Sequence, residues 1–165
     1  MNNYQVIDNV LHTTDFLEIK SQIMNINFPL FFSNYVVGDK DENLEHFYFT
    51  HLIYENHRLN SSQEYWRILT PLLKFIRAKA IIRIKVNAYP NVNKFLIHNP
   101  HADYSFEHKG ALYSLNNCNG YTILEDGTKI ESKENRLLLF DSSKNHQSTT
   151  CTDQKMRYNI NINYL

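Results

Sequence analysis

The second half of this 165-residue chain consists of short strand-like segments, and no other feature constrains its fold as strongly. Turns of the Asn-Pro, Asn-Gly and Asp-Gly type separate segments rich in β-branched and aromatic residues, at 81–89, 95–98, 110–116, 121–124, 136–140 and 156–163. Many short strands joined by such turns are typical of a sandwich or a jelly roll.

Two of these segments alternate polar and apolar side chains, and residues two apart in a strand share a face. The polar rows are Arg157, Asn159 and Asn161 in one strand, and Arg83, Lys85, Asn87 and Tyr89 in the other. A polar row opposite an apolar row is what a barrel with a wet interior requires. An ordinary sheet with one solvated face would explain either strand alone.

The first half predicts helices and strands together. Two amphipathic helices are expected at 14–24 and 63–78, and β-like segments at 4–10, 31–37 and 45–54. We therefore predict an α+β fold, a double-stranded β-helix (jelly roll) with N-terminal helices packed on the major sheet. One domain is expected over 1–165, with a platform at 1–80 and a jelly-roll core at 81–165.

Composition and charge exclude several classes of function. Lys+Arg and Asp+Glu balance at 17 each, which gives no net electrostatic reason to bind nucleic acid or an anionic membrane. Cys118 and Cys151 are too isolated in sequence for a disulfide framework or a zinc site, so reduced thiols are expected. The start resembles no secretion signal and no apolar run suits a membrane span, so a cytoplasmic location is expected (the host cytoplasm if the chain is phage-encoded). Oligomeric state is left open.

His101, Asp103 and His146 form a candidate metal site. His101 and Asp103 share a face if their segment is extended, and His146 comes from a later strand or loop. Two histidines and a carboxylate on one face of a metal leave the opposite positions open, which marks non-haem Fe(II) oxygenases. A His-x-Asp match alone is weak, because this composition gives about 0.4 by chance.

Arg157 follows the distal histidine and offers a guanidinium, which binds a carboxylate through two parallel charge-assisted hydrogen bonds. Together with the candidate metal ligands, it completes the set needed to hold a divalent metal and a dicarboxylate co-substrate.

The stretch from Asn87 to Asn161 resembles the 2-oxoglutarate/Fe(II) oxygenase superfamily, and most closely its prolyl-4-hydroxylase-like branch, including small phage and bacterial types. The matching elements, in order, are NAYPN (87–91), HAD (101–103), LYSLN (112–116), NRLLLFDSSKNH (135–146) and RYNIN (157–161). The resemblance covers nearly half of the chain. Ser114 departs from the family pattern, which has a second tyrosine at that position.

The resemblance implies an Fe(II)- and 2-oxoglutarate-dependent dioxygenase that consumes O2, hydroxylates a substrate and releases succinate and CO2. His101, Asp103 and His146 would bind the iron, and Arg157 the far carboxylate of 2-oxoglutarate. The phenol of Tyr113 occupies the family position that also contacts that carboxylate, and Tyr89 is a second candidate.

Two alternatives remain open. Asn87 and Asn159, each two residues from Tyr89 or Arg157, also fit the pattern of the AlkB branch of nucleic-acid demethylases, and are further candidates for binding the co-substrate. That branch has a second arginine six residues after the first, where this chain has Asn163. The other alternative is a non-enzymatic, cupin-like metal-binding protein, or an oxygenase fold that has lost its activity.

The substrate is not readable from the sequence, although the neutral charge favours a small molecule or peptide over nucleic acid. Arg83 and Lys85 share the predicted pocket face and are expected to meet an anionic substrate. No membrane partner is expected.

Overall fold

The structure is a computed structural model that describes residues 4–38 and 43–165. Two helices and eleven strands are present within these ranges. In chain order they are β1 (Tyr4–Ile7), α1 (Thr13–Ile23), β2 (Phe31–Ser33), β3 (Tyr48–Glu55), β4 (Arg58–Leu59), α2 (Gln63–Ile76), β5 (Ile81–Pro90), β6 (Lys109–Ser114), β7 (Tyr121–Ile123), β8 (Lys129–Glu131), β9 (Arg136–Asp141), β10 (Gln147–Ser148) and β11 (Met156–Tyr164).

The helix boundaries follow from capping. Ser62 accepts a hydrogen bond from the backbone N–H of Glu64 and begins α2, and His12 does the same for Thr14 at α1. At its other end, α2 terminates at Arg77, whose φ of 53° is left-handed. The predicted extension to residue 78 was therefore slightly too long.

The strands form two antiparallel sheets. The larger has the order β1-β9-β6-β11-β5-β3-β2, with β4 paired to β3, and the smaller has the order β10-β7-β8. Strands β1 to β4 precede residue 80, so the predicted platform supplies part of the large sheet as well as the helices. None of the described helices is long and apolar enough to cross a membrane.

The apolar core lies between the helices and one face of the large sheet. Its buried side chains include Phe16, Ile19 and Ile23 of α1, Ile68, Leu69 and Leu72 of α2, and Ile84, Val86, Ile160 and Ile162 of β5 and β11. The alternation predicted for β5 and β11 is confirmed, because their apolar rows join this core. Their polar rows consequently lie on the opposite face of the sheet.

The predicted strand at 95–98 is the main error in the secondary structure. Only an isolated bridge between Ile97 and Thr149 forms there, and Leu96 exchanges hydrogen bonds with Thr150. One of those bonds uses the Thr150 side chain, which interrupts a regular ladder. The short strands β4, β8 and β10 were not predicted, since two or three residues carry too little periodicity to detect.

Candidate metal and co-substrate site

His101, Asp103 and His146 converge at one point, as their order in the sequence predicts. His101 and His146 form an antiparallel bridge, in which each backbone N–H donates to the other's carbonyl at 3.0 and 2.9 Å. The Nε2 atoms of His101 and His146 lie 4.0 and 3.9 Å from the two carboxylate oxygens of Asp103. One ligand atom from each residue lies within 4.8 Å of the other two.

Backbone carbonyls orient both imidazoles. The Nδ1 atom of His101 lies 3.4 Å from the carbonyl of Asn99, and that of His146 lies 3.0 Å from the carbonyl of Lys144. A proton on each Nδ1 leaves Nε2 as the free lone pair, which faces Asp103. The site therefore offers two imidazole nitrogens and one carboxylate to a cation.

Asp103 is held by four side-chain donors, which the sequence analysis did not find. Arg83 donates to Oδ1 at 2.7 Å, and Ser142, Asn161 and Asn163 donate to Oδ2 at 2.5, 3.1 and 2.8 Å. Asn161 and Asn163 continue the polar row of β11, so the alternation in that strand was the available signal. Ser142 left no signal in the sequence.

The charges in this cluster determine its protonation. Burial opposes ionisation of Asp103, but the charge of Arg83 and the hydrogen bonds of Ser142 and Asn163 hold the pKa of the carboxyl below its usual range. Burial, together with His146, lowers the pKa of His101 to about 4. At neutral pH the site is thus one carboxylate with a neutral imidazole, the form that binds metals.

A cavity opens beside these three residues on the polar face of the large sheet. Its lining comprises Val36, Tyr48, Lys85, Asn87, Tyr89, His101, Asp103, Leu112, Thr122, Phe140, His146, Gln147, Ser148, Asn159 and Asn161. Asn87 donates to Asn159 at 2.9 Å. The Oδ1 atoms of Asn87 and Asn161 are buried and have no hydrogen-bond partner among the described residues, so both can accept a hydrogen bond from a bound molecule.

Arg157 is 1% exposed and lies behind this cavity. Its guanidinium donates to Ser132 Oγ at 2.6 Å, to Thr122 Oγ1 at 2.8 Å and to the Thr149 carbonyl at 3.1 Å. No carboxylate within residues 4–38 and 43–165 lies within 4.0 Å of it. Three hydrogen bonds leave two of its five N–H groups free, so this buried cation is suited to an anionic ligand.

Tyr89 contacts Arg157 and belongs to an aromatic stack. The Arg157 guanidinium lies 5.6 Å from the ring centre of Tyr89, which stacks on Tyr48 at 5.4 Å and on His98 at 5.4 Å. Tyr48 and His98 were not predicted as site residues. Their positions near the cavity depend on contacts between distant segments, which leave no local pattern.

Tyr113 lies on the other face of the sheet, which corrects the expectation that it contacts the co-substrate. Tyr113 pairs with Ile160 in β11, and both side chains belong to the apolar core. Its phenol donates to Asn135 Oδ1 at 2.8 Å, and its ring packs edge-on against Phe16. The neighbouring residue Leu112 lines the cavity instead.

Lys85 and Arg83 differ in their surroundings, although they share a face of β5. Lys85 lines the cavity and donates to Tyr48 Oη at 3.1 Å, and burial followed by repulsion from Arg83 lowers the pKa of its ammonium. Arg83 is paired with Asp103, so its expected contact with an anionic substrate is not supported. For Lys85 the contact stays a prediction.

No protein-family profile and no curated protein matches this chain in sequence. Solved structures do match it in three dimensions. A prolyl hydroxylase from Trichoplax adhaerens, in complex with a hypoxia-inducible-factor peptide, has a TM-score of 0.70 at 22% identity, covering 100% of this chain and 84% of the other. A 2OG-Fe(II) oxygenase-family protein from Burkholderia pseudomallei has a TM-score of 0.73 at 10% identity over 98% of this chain and 84% of its own.

A viral collagen prolyl hydroxylase from Paramecium bursaria Chlorella virus 1, in complex with 2-oxoglutarate, has a TM-score of 0.62 at 12% identity, covering 99% of this chain and 97% of the other. These similarities extend over essentially the whole described chain. The predicted α+β jelly-roll fold is confirmed, and it is the fold found in 2-oxoglutarate oxygenases and prolyl hydroxylases.

Proposed function

We propose that this protein is an Fe(II)- and 2-oxoglutarate-dependent dioxygenase that hydroxylates a small molecule or a peptide. The observation that carries the proposal is the pairing of two features at one cavity. Two oriented imidazoles and a carboxylate converge there, and behind it lies a buried guanidinium that pairs with no carboxylate of the described residues. A metal and a dicarboxylate account for both features.

The residues present fit both groups. The carboxylate of Asp103 and the Nε2 atoms of His101 and His146 are ligands of the type that Fe(II) accepts. Arg157 would hold the far carboxylate of 2-oxoglutarate, with Thr122 and Tyr89 beside it. When both are bound, the iron and co-substrate supply the oxidising chemistry: O2 is consumed, succinate and CO2 are released, and a C–H bond is hydroxylated.

The protein's own contribution is orientation and exclusion of water. The four donors on Asp103 fix the direction of its carboxylate, and the carbonyls on Nδ1 fix both imidazoles. Phe140 packs edge-on against the ring of His146 at 5.0 Å, and Leu112 lines the same cavity. These apolar side chains shield the metal ligands from bulk water, which strengthens the electrostatic contacts inside.

The substrate side of the cavity favours an anionic group. Lys85 is a half-buried cation, and its hydrogen-bond partner among the described residues is the neutral phenol of Tyr48, so an anion would compensate its charge. The peptide bound in the Trichoplax adhaerens structure makes a peptide one option for this chain, alongside a small carboxylate-bearing molecule. Asn163 stands where the AlkB branch has its second arginine, and it donates a hydrogen bond to Asp103. This contact argues against the demethylase alternative.

The test is succinate formation from 2-oxoglutarate by the purified protein with Fe(II), ascorbate and O2, without added substrate. Slow turnover is expected, and it should disappear in His146→Ala. His57→Asn is the matched control, because His57 lies in an exposed turn with positive φ that asparagine tolerates. Metal binding without 2-oxoglutarate binding would instead identify the cupin-like metal-binding protein. Absence of both would refute the proposal.

A further inference from the structure

The two cysteines of this chain lie side by side in the structure. Cys118 follows β6 and Cys151 precedes β11, yet their sulfur atoms are within 4.8 Å of each other. The prediction that they are isolated is wrong, because the chain reversal through β7 to β10 brings them together. Both are free thiols.

The loops that carry the cysteines are joined by hydrogen bonds. Asn119 Nδ2 donates to Thr152 Oγ1 at 2.8 Å, and the Thr152 N–H donates to Asn119 Oδ1 at 2.9 Å. The Asn119 N–H also lies 3.0 Å from both carboxylate oxygens of Asp153. These contacts hold the two thiols next to each other, so their proximity does not depend on the sulfur atoms alone.

The two thiols differ in reactivity. A hydrogen bond from Cys151 lowers the pKa of Cys118, and the nearby charge of Arg157 acts in the same direction. Cys118 is only half-buried, so it is the nucleophile that a small oxidant meets first. Cys151 is buried, its Sγ lies 3.6 Å from the Gln154 carbonyl, and its pKa is raised by the same pairing.

This pair borders the residues that hold Arg157. The Cys118 N–H donates to the Ser132 carbonyl at 3.2 Å, and the Ser132 hydroxyl accepts the 2.6 Å hydrogen bond from Arg157 Nε. A Cβ added at Gly120 would lie 2.8 Å from Arg157 Cδ, so the loop after Cys118 packs directly on the arginine. Thr149 lies two residues before Cys151, and its carbonyl also accepts a hydrogen bond from the guanidinium of Arg157.

We propose that Cys118 and Cys151 form a reversible disulfide in response to peroxide, and that this bond alters the carboxylate site at Arg157. The Cys118 thiol loses its proton, the thiolate attacks one oxygen of hydrogen peroxide, and the O–O bond breaks; a sulfenic acid results, and the hydroxide that leaves takes up the released proton to give one water. The Cys151 thiol then attacks that sulfur, forms the S–S bond and releases a second water. Two thiols are oxidised and one peroxide is reduced.

The structural consequence follows from distance. A disulfide requires the sulfur atoms to close to about 2.0 Å, and we expect the loops that carry the two cysteines to shift with them. The segments 118–120 and 149–151 both contact Arg157 or the residues that accept its hydrogen bonds. A shift of these segments would therefore change the hydrogen bonds that the guanidinium donates. The effect on 2-oxoglutarate rests on the proposed function, whereas the disulfide and the loop shift do not.

The experiment treats the reduced protein with hydrogen peroxide and maps the products by mass spectrometry after alkylation. A peptide pair linked through Cys118 and Cys151 is expected, with loss of two hydrogens, and dithiothreitol should reverse it. Cys118→Ser and Cys151→Ser serve as matched controls, since neither variant can form the intrachain bond. Each should retain 2-oxoglutarate binding after peroxide treatment.

Two further measurements connect the disulfide to Arg157. Hydrogen exchange of peptides covering 118–122 and 149–157 should change on oxidation, whereas β1 should not. Binding of 2-oxoglutarate in the presence of Mn(II) should weaken at least about tenfold and recover on reduction. If the reduced protein binds no 2-oxoglutarate, the proposed function fails, while the mass and exchange data still decide the disulfide and the loop shift.

Three results would overturn the proposal. The first is separate oxidation of the two thiols without a linkage. The second is a disulfide that leaves exchange at 118–122 and 149–157 unchanged. The third is a native mass that includes zinc with both thiols protected from peroxide, which would assign the cluster with Asp153 to a metal.

Discussion

Arg157 is a buried cation behind the cavity and Lys85 is a half-buried cation in its lining, and a pair of substitutions separates their roles. Arg157→Met should raise the KM for 2-oxoglutarate more than tenfold, because a charge-assisted bidentate contact is lost. Lys85→Met should change that KM less than about threefold and leave substrate-independent succinate formation intact. We expect Lys85→Met to raise the KM of the hydroxylated substrate instead. Steady-state kinetics of 2-oxoglutarate consumption provide the measurement; the opposite pattern would assign the co-substrate to Lys85.

Ser142 tests how far the donors on Asp103 tune metal binding. Ser142→Ala removes the 2.5 Å hydrogen bond to Asp103 Oδ2 with little change in volume. Such outer hydrogen bonds typically contribute 10–100-fold to metal affinity, so Mn(II) binding should weaken by about tenfold. Ser143→Ala is the matched control, since the Ser143 hydroxyl donates only to Asp141. Calorimetric titration with Mn(II) measures both; equal affinities would show that Ser142 does not position the carboxylate.

Single residues also show what the sequence could and could not predict at the site. His101, Asp103, His146 and Arg157 stand in a recognisable order, and the alternation in β11 indicated which of its side chains face the cavity. Tyr113 was predicted on the wrong face of the sheet, because a motif match does not determine toward which face a strand residue points. A shift of one residue in a strand exchanges its faces, so Leu112 lines the cavity and Tyr113 joins the core.

Strand β1 is an edge strand that pairs with β9. The side chain of Asp8, directly after β1, adds contacts to this pairing beyond the backbone hydrogen bonds. Asp8 accepts hydrogen bonds from Arg136 at 2.6 and 3.0 Å and from Lys133 at 3.0 Å. Asp8→Asn should lower the free energy of unfolding by about 0.5–1 kcal/mol at pH 7, a small effect because the carboxylate is partly exposed. Urea denaturation measures this, with Glu125→Gln in the exposed β7–β8 turn as the control.

The pH dependence of this contribution has a defined sign. The hydrogen bond from Arg136 depresses the pKa of Asp8 in the folded state, so folding favours its charged form. The stabilisation is therefore complete above the unfolded pKa of about 3.9 and is lost as pH falls below it. Wild type and Asp8→Asn should converge in stability toward pH 2. A difference that persists there would assign the effect of Asp8 to something other than its charge.

Helices and strands could be predicted where they are long enough for the spacing of their apolar residues to repeat. Helix α2 and strands β5 and β11 are long enough for their apolar rows to show, and their predicted bounds agree with the structure within two residues. The segment 95–98 has strand-like residues but pairs only through Ile97 and a threonine side chain. That outcome depends on residues 148–150, which lie too far along the chain for a local pattern to report.

At the level of the whole molecule, β11 contributes one row of side chains to the apolar core and the other row to the cavity. Ile160 and Ile162 anchor its apolar row in the core against the helices, while Asn159 and Asn161 face the cavity. Ile160→Ala should therefore destabilise the fold by about 2–4 kcal/mol through a buried cavity. Because it leaves the polar row in place, the folded variant should bind Mn(II) with an affinity within about threefold of wild type. Thermal unfolding and Mn(II) titration below the transition measure the two effects separately.

Ligand binding should in turn stabilise the whole fold. Adding Mn(II) first and 2-oxoglutarate second shows which residues bind each of them. A ligand at one hundred times its Kd stabilises by about 2.7 kcal/mol, which corresponds to roughly 5–10 °C in Tm for a domain of this size. Mn(II) alone should raise the Tm of wild type and of Arg157→Met alike, since Arg157 is not a predicted metal ligand. Adding 2-oxoglutarate should raise it further only in wild type. A second increase of equal size in Arg157→Met would mean that the co-substrate's far carboxylate is held elsewhere in the cavity, where Lys85 is a cation of the lining able to take it.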